Sequence, residues 1–133
     1  MRAVVCRAFG PVESLELAEL PPPVAGPQQA AVRVCVAGVN FPDALTVEGR
    51  HQRKPPLPFI PGSEVAGVVT ALGPAVPAEV ARVGQRVYAG RLQGAFAEQV
   101  VVDAGQLRAM PAGVSFEPFS LPPDPRTAAR HRP

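Results

Sequence analysis

The sequence has 133 residues, 47% apolar and 18% charged, with 18 Pro, 12 Gly and no Trp. That is the length of one domain able to bury a core, and its apolar share excludes wholesale disorder. The net charge of +2 belongs to residues 118–133, where Arg126, Arg130 and Arg132 outnumber Asp124; residues 1–117 balance ten basic against ten acidic side chains, which excludes an electrostatic nucleic-acid footprint.

Taken in chain order, Met1–Arg7 and Leu15–Leu20 read as strands separated by a Gly10-Pro11 turn. Leu20-Pro21-Pro22-Pro23 is a stiff extended link. Ala31–Asn40 alternates with period two, placing Val32, Val34 and Val36 on one face and Arg33, Cys35 and Ala37 on the other. A short helical turn is expected over Asp43–Glu48, after Pro42. Lys54-Pro55-Pro56-Leu57-Pro58 cannot be helical and is expected to be an extended loop.

Four further strands are predicted at Glu64–Leu72, Gln85–Ala89, Phe96–Val102 and Gln106–Met110. Gly62, Gly67, Gly73, Gly84, Gly90 and Gly94 lie in or between them, as bulges and tight bends of a small closed sheet require. The fold class expected is mainly β, a small antiparallel barrel with short helical turns. Pro118–Pro133 holds five Pro in sixteen residues without periodicity and reads as a disordered tail.

Cys6 and Cys35 both sit in apolar alternating runs, so both are expected to be buried thiols rather than a disulfide framework. The N-terminus lacks a signal-peptide apolar region, and no run reaches the ~18 residues of a membrane span. The expectation is a soluble, cytoplasmic protein with no membrane partner.

Searches for established motifs find little. There is no GxGxxG and no P-loop, and His51 and His131 are isolated from any metal-ligand spacing. One body histidine cannot define a nucleophilic triad. Two polar clusters remain. In Gly38-Val39-Asn40-Phe41-Pro42-Asp43, Asn40 and Asp43 suit turn hydrogen bonding and ligand contact equally. In Pro61-Gly62-Ser63-Glu64-Val65-Ala66-Gly67, Glu64 opens an apolar strand, so its carboxylate is expected to be partly buried in a structural pairing.

These clusters carry a resemblance. The order GVNFPDAL, EGRHQRKPPLPFIPGSEVAGVV, VGQRVYA, GAFAEQVVV and MPAGVSFE is similar to the zinc-independent, NADPH:quinone oxidoreductase-like branch of the medium-chain dehydrogenase/reductase superfamily, over residues 1–117. The resemblance implies a GroES-like domain forming one wall of the active site. It also implies that Asn40 and Ser63 stand where zinc-dependent relatives carry Cys and His ligands, so that no metal is bound.

The implied chemistry is hydride transfer from NADPH to a quinone or conjugated enone, small-molecule acceptors that delocalise the developing charge themselves. By the same resemblance, Asn40, Phe41, Pro42 and Asp43 lie beside the nicotinamide end of the cofactor. His51 and Gln52 lie near the substrate mouth, and Gly62, Glu64 and Gly67 are structural. No residue is an obligatory acid or base.

The likeness stops near Ser115-Phe116-Glu117, where the family continues into a Rossmann domain that holds the pyrophosphate and the main dimer surface. The expectation from the sequence is a truncated chain, with a frameshift or an erroneous gene end, of two parts, residues 1–117 and the tail 118–133, binding NADPH weakly or not at all. Two other readings stay open: a stand-alone β-barrel binding or assembly module, and a non-functional fragment.

Overall fold

The structure is a computed structural model that describes residues 1–116. The expected tail, Pro118–Pro133, lies outside the described residues. Seven strands, one α-helix and two single-turn 3₁₀ helices make up the fold. The strands are β1 (Arg2–Val5), β2 (Glu16–Glu19), β3 (Gln29–Ala37), β4 (Val65–Leu72), β5 (Arg86–Ala89), β6 (Gln99–Asp103) and β7 (Arg108–Ala109), and α1 spans Phe41–Val47. The 3₁₀ turns are Val12–Ser14 and Ala104–Gln106.

All pairings are antiparallel. β1 pairs with β2, and a five-stranded sheet runs β6-β3-β4-β5-β7. The five-stranded sheet is open at β6 and β7. It is extended on the β6 side by Phe96–Glu98, which bonds β1 through Val4 N to Phe96 O (2.9 Å) and Glu98 N to Arg2 O (3.1 Å). Arg2 N donates in turn to Glu98 Oε1 at 2.5 Å, and this amide holds the Glu98 carboxyl below its ordinary range. In the run expected as one strand over Phe96–Val102, Phe96 and Glu98 bond β1, while Glu98 O still accepts from Val34 N of β3 at 2.8 Å, continuing the pairing of β6. The predicted Gln106–Met110 strand shrinks to Arg108–Ala109 because Ala104–Gln106 winds into a single turn.

The main core lies on the five-stranded sheet and is built largely from small side chains. Val32, Val65, Val69, Val87 and Val102 are each at most 2% exposed, and burying each is worth about 1.5–3 kcal/mol. A second, smaller cluster of Cys6, Val47 and Phe59, with Leu15 against it, ties β1, α1 and the loop before β4 together. Cys6 N and Phe59 N exchange bonds with each other's carbonyls at 2.8 and 3.0 Å, and Phe9 packs on the Phe59 ring at 6.1 Å. This cluster sets the distance between α1 and the loop, which becomes the two sides of the site.

The cysteines divide. Cys6 is 1% exposed, and burial pushes its thiol up from the ordinary value. Cys35 is exposed, contrary to the expectation for both. Its place on β3 explains the correction: it shares the outward face with exposed Arg33, next to the register shift between Val34 and Val36. One thiol per molecule is therefore expected to react rapidly with an aromatic disulfide reagent in native buffer, and two in denaturant. Fast reaction of two native thiols would contradict the burial of Cys6.

Candidate functional site

The end of β3 releases the chain into the site. Gly38 is buried where β3 ends: a Cβ there would stand 1.7 Å from Glu64 Oε1. α1 then begins at Phe41, two residues earlier than the sequence indicated, because Asn40 and Asp43 close on each other. Asn40 N donates to Asp43 Oδ2 at 2.8 Å and Asp43 N donates to Asn40 O at 3.0 Å. With Pro42 in the first turn, this capping favours helix initiation there. Thr46 Oγ1 returns a bond to Pro42 O at 2.9 Å.

Opposite α1 run two extended segments held to each other. Ser63 O accepts from Leu92 N at 2.9 Å, Gly62 O from Ala95 N at 3.3 Å and Pro61 O from Phe96 N at 3.0 Å. Gln93 Nε2 donates to Ile60 O. Gly62 has φ +102°, and a Cβ there would lie 2.9 Å or less from Phe96 and Ala95 atoms, so only glycine satisfies both constraints.

Between these walls lies a cleft of about 100 Å³. Pro42, Asp43, His51 and Gly62 of the sequence candidates line it, joined by Ser63 and Arg53. Asn40 and Phe41 are not among the lining residues: Asn40 is half-buried beside α1, and Phe41 is 75% exposed. Gln52 is exposed and does not line the cleft. Gly67 lies inside β4, away from it.

Asp43 is 8% exposed, and its Oδ2 is engaged by the start of α1. Its first role is therefore to hold the helix. His51 Nδ1 accepts from Arg53 N at 3.0 Å. With Nδ1 used as an acceptor, the proton of the neutral ring sits on Nε2, which is left as a donor. The Ser63 hydroxyl, a second potential donor, has no hydrogen-bond partner among the described residues.

Glu64 is 4% exposed, and neither a hydrogen bond nor an ion pair to its carboxylate is found among the described residues. Its burial agrees with the sequence; the expected pairing partner is not present among these residues. Sequence reasoning also missed Thr46, Leu92 and Gln93. Ser63 and Gly62 carried a signal in their polar, glycine-flanked run, whereas Leu92 and Gln93 are brought in only by bonds to a segment some thirty residues earlier. Among the described residues there is no group of three or more His, Cys, Asp or Glu placed to hold a metal. No helix among them is long and apolar enough to cross a membrane.

Residues 26–112 match the model of the alcohol dehydrogenase GroES-like domain. The chain belongs to this family. Within it, the rat synaptic vesicle membrane protein VAT-1 homolog is 39% identical over 119 residues, 88% of this chain and 29% of that protein. The rat quinone oxidoreductase-like protein 2 is 37% identical over 122 residues, 92% of this chain and 34% of that one. Among solved structures, the Escherichia coli quinone oxidoreductase complexed with NADPH superposes with a TM-score of 0.82 at 27% identity, over 88% of this chain and 35% of that one. The chain thus spans about a third of the length of the curated relatives it matches. The GroES-like, mainly β class expected from the sequence is the one observed, and the chain's relatives include quinone oxidoreductases of the medium-chain superfamily.

Proposed function

We propose that this chain forms the acceptor-side wall of a zinc-independent, NADPH-dependent reductase of quinones or conjugated enones. The observation that carries the reading is the cleft itself, where His51 and Ser63 line one small site beside α1. Asn40 and Ser63, neutral side chains at the positions where, by resemblance, zinc-dependent relatives carry metal ligands, support an acceptor that needs no Lewis acid. The similarity to quinone oxidoreductases points the same way.

The described residues fit part of a cofactor site and not the whole of NADPH. The cleft, at about 100 Å³, is well below the roughly 300–1,000 Å³ of complete ligand pockets. α1 has only seven residues, and the Asn40 N–H at its start is taken by Asp43. No glycine-rich turn leading into a helix is found among the described residues to cradle a pyrophosphate. NADPH, when bound, supplies the hydride. The chain's own contribution is then to orient the acceptor and stabilise its oxygen. His51 Nε2–H and the Ser63 hydroxyl donate to a quinone oxygen, strengthening as charge develops on it. Pro42 and the exposed Phe41 and Val39, 75% and 81% exposed, offer apolar surface for the nicotinamide side, with Asn40 and Asp43 setting their position.

The test is an amide-shift titration of the ¹⁵N-labelled chain with 2,3-dimethoxy-5,6-dimethyl-1,4-benzoquinone. Full ring substitution prevents addition of the exposed Cys35 thiol. Arg53, Gly62, Ser63 and Leu92 amides are expected to shift, and His51→Ala to weaken binding about fivefold, the loss of one hydrogen bond. Shifts elsewhere, or none, would remove the acceptor-wall reading. NADPH is expected to leave the spectrum unchanged at micromolar concentration and to be consumed no faster with chain and quinone than in buffer. Micromolar NADPH binding would overturn the assignment of cofactor binding to elements outside the described residues.

A further inference from the structure

A second, larger concavity adjoins the cleft. It has a volume of about 410 Å³ and lies between β1 and the Pro58–Ile60 segment. Val5 and Phe59 supply buried apolar walls, and Leu20, Pro58 and Ile60 more exposed ones. Its two polar side chains are already engaged: Arg7 Nε bonds Glu16 Oε2 at 2.7 Å, and Gln93 Nε2 bonds Ile60 O. Several neighbouring backbone donors are occupied as well. Cys6 N bonds Phe59 O at 2.8 Å, Leu20 N bonds Met1 O at 2.8 Å and Phe59 N bonds Cys6 O at 3.0 Å. The lining is otherwise apolar, which suits an aliphatic chain, since such a chain needs no hydrogen-bond partner.

Gln93 lines both this groove and the candidate site, and Ile60 leads directly into Pro61 and Gly62 of the site. A polar cleft too small for a complete ligand thus shares the Gln93 wall with an apolar groove of ordinary ligand size. We propose that the groove seats the alkyl or prenyl chain of a tail-bearing acceptor whose quinone head occupies the cleft. This inference rests on the quinone-reductase reading and names its substrate class: amphiphilic, membrane-type quinones rather than small soluble ones. Val5, Leu20, Phe59 and Ile60 are then specificity residues for the chain. Gln93, tied to Ile60, forms the rim over which the ligand passes.

The experiment compares three probes by amide shifts on the full chain. They are the tetrasubstituted head quinone above, its analogue with a decyl chain replacing one ring methyl, and 1-decanol as a chain without a head. Each methylene removed from water is worth about fourfold in affinity, so seating even two or three gives at least about tenfold tighter binding of the decyl quinone. Its shifts are expected at Val5, Leu20, Phe59, Ile60 and Gly94 together with Gly62 and Ser63. Leu20→Asp is expected to return its affinity to that of the head quinone while leaving the head's own affinity unchanged. Leu20→Ala serves as the uncharged control, and a thermal melt shows that each variant is folded.

Equal affinities with shifts confined to the cleft overturn the groove and leave the quinone reading intact. Groove shifts from decanol, with no cleft shifts from either quinone, keep the alkyl site and overturn the quinone reading. No groove shifts from decyl quinone or decanol overturn the proposal.

Discussion

Replacing Gly67 with alanine is expected to destabilise the chain by at least about 3 kcal/mol, a steric cost at the upper end of core overpacking. Gly67 lies in the middle of β4, paired with Val34 of β3 on one side and Val87 of β5 on the other. A Cβ there would stand 2.0 Å from the Arg33 carbonyl oxygen and 3.0 Å from Val32 Cγ1. The first of these is a backbone atom of a central strand, so no rotamer change relieves the contact. β3 would have to leave its register where it already shifts between Val34 and Val36. The melting temperature is expected to fall by more than about 10 °C, from the usual relation between stability and Tm for a domain of this size. Gly105→Ala is the control, since nothing lies within 4 Å of its Cβ position. A Gly67→Ala melt within a few degrees of the parent would show that the close β3–β4 approach is wrong.

Glu64→Gln is expected to be close to neutral. Glu64 is 4% exposed, with no donor to its carboxylate among the described residues, and its side chain lies over Gly38. No buried side-chain oxygen among the described residues lacks a hydrogen-bond partner, so the unbonded carboxylate oxygens keep contact with water. The isosteric exchange removes the charge and keeps the shape. A change of about 0.5 kcal/mol or less follows, read as a Tm within a few degrees of the parent. A fall in Tm well beyond that would mean that the carboxylate is held by a cationic or donor group outside the described residues.

Much of the architecture was legible because period-two patterning directly reports burial. β3 and β4 appear within a residue or two of their expected bounds at most ends, although burial alternates only over part of each: Ala30–Val32 and Val65–Gly67 are buried throughout. The β3 end is the exception: Ala31–Asn40 was expected, and pairing stops at Ala37. Gly38 N still donates to Glu64 O at 3.1 Å, and Gly38 has no Cβ to meet the Glu64 side chain, twenty-six residues on. The early start of α1 was written in the Asn40-Phe41-Pro42-Asp43 run. Reading it required treating Asn40 and Asp43 as a cap rather than as ligand contacts. Cys35 was misjudged because its neighbours are apolar, although its alternation with Arg33 already placed it on the outer face.

By itself the sequence determined the mainly antiparallel fold, the extended proline-rich loop and the glycines at Gly62 and Gly67. These follow from local rules: side-chain periodicity and backbone freedom act within a few residues. The family resemblance, not a local rule, put Pro42 and Asp43 beside the cofactor and His51 near the substrate, with Gly62 as structural. The tertiary structure alone decided that Leu92 and Gln93 line the cleft, that Phe96–Glu98 joins β1 to the sheet, and that an apolar groove shares Gln93 with the cleft. Those outcomes depend on hydrogen bonds between segments about thirty or more residues apart. The energy of such contacts is set by the packing of the whole sheet, and no local pattern encodes it.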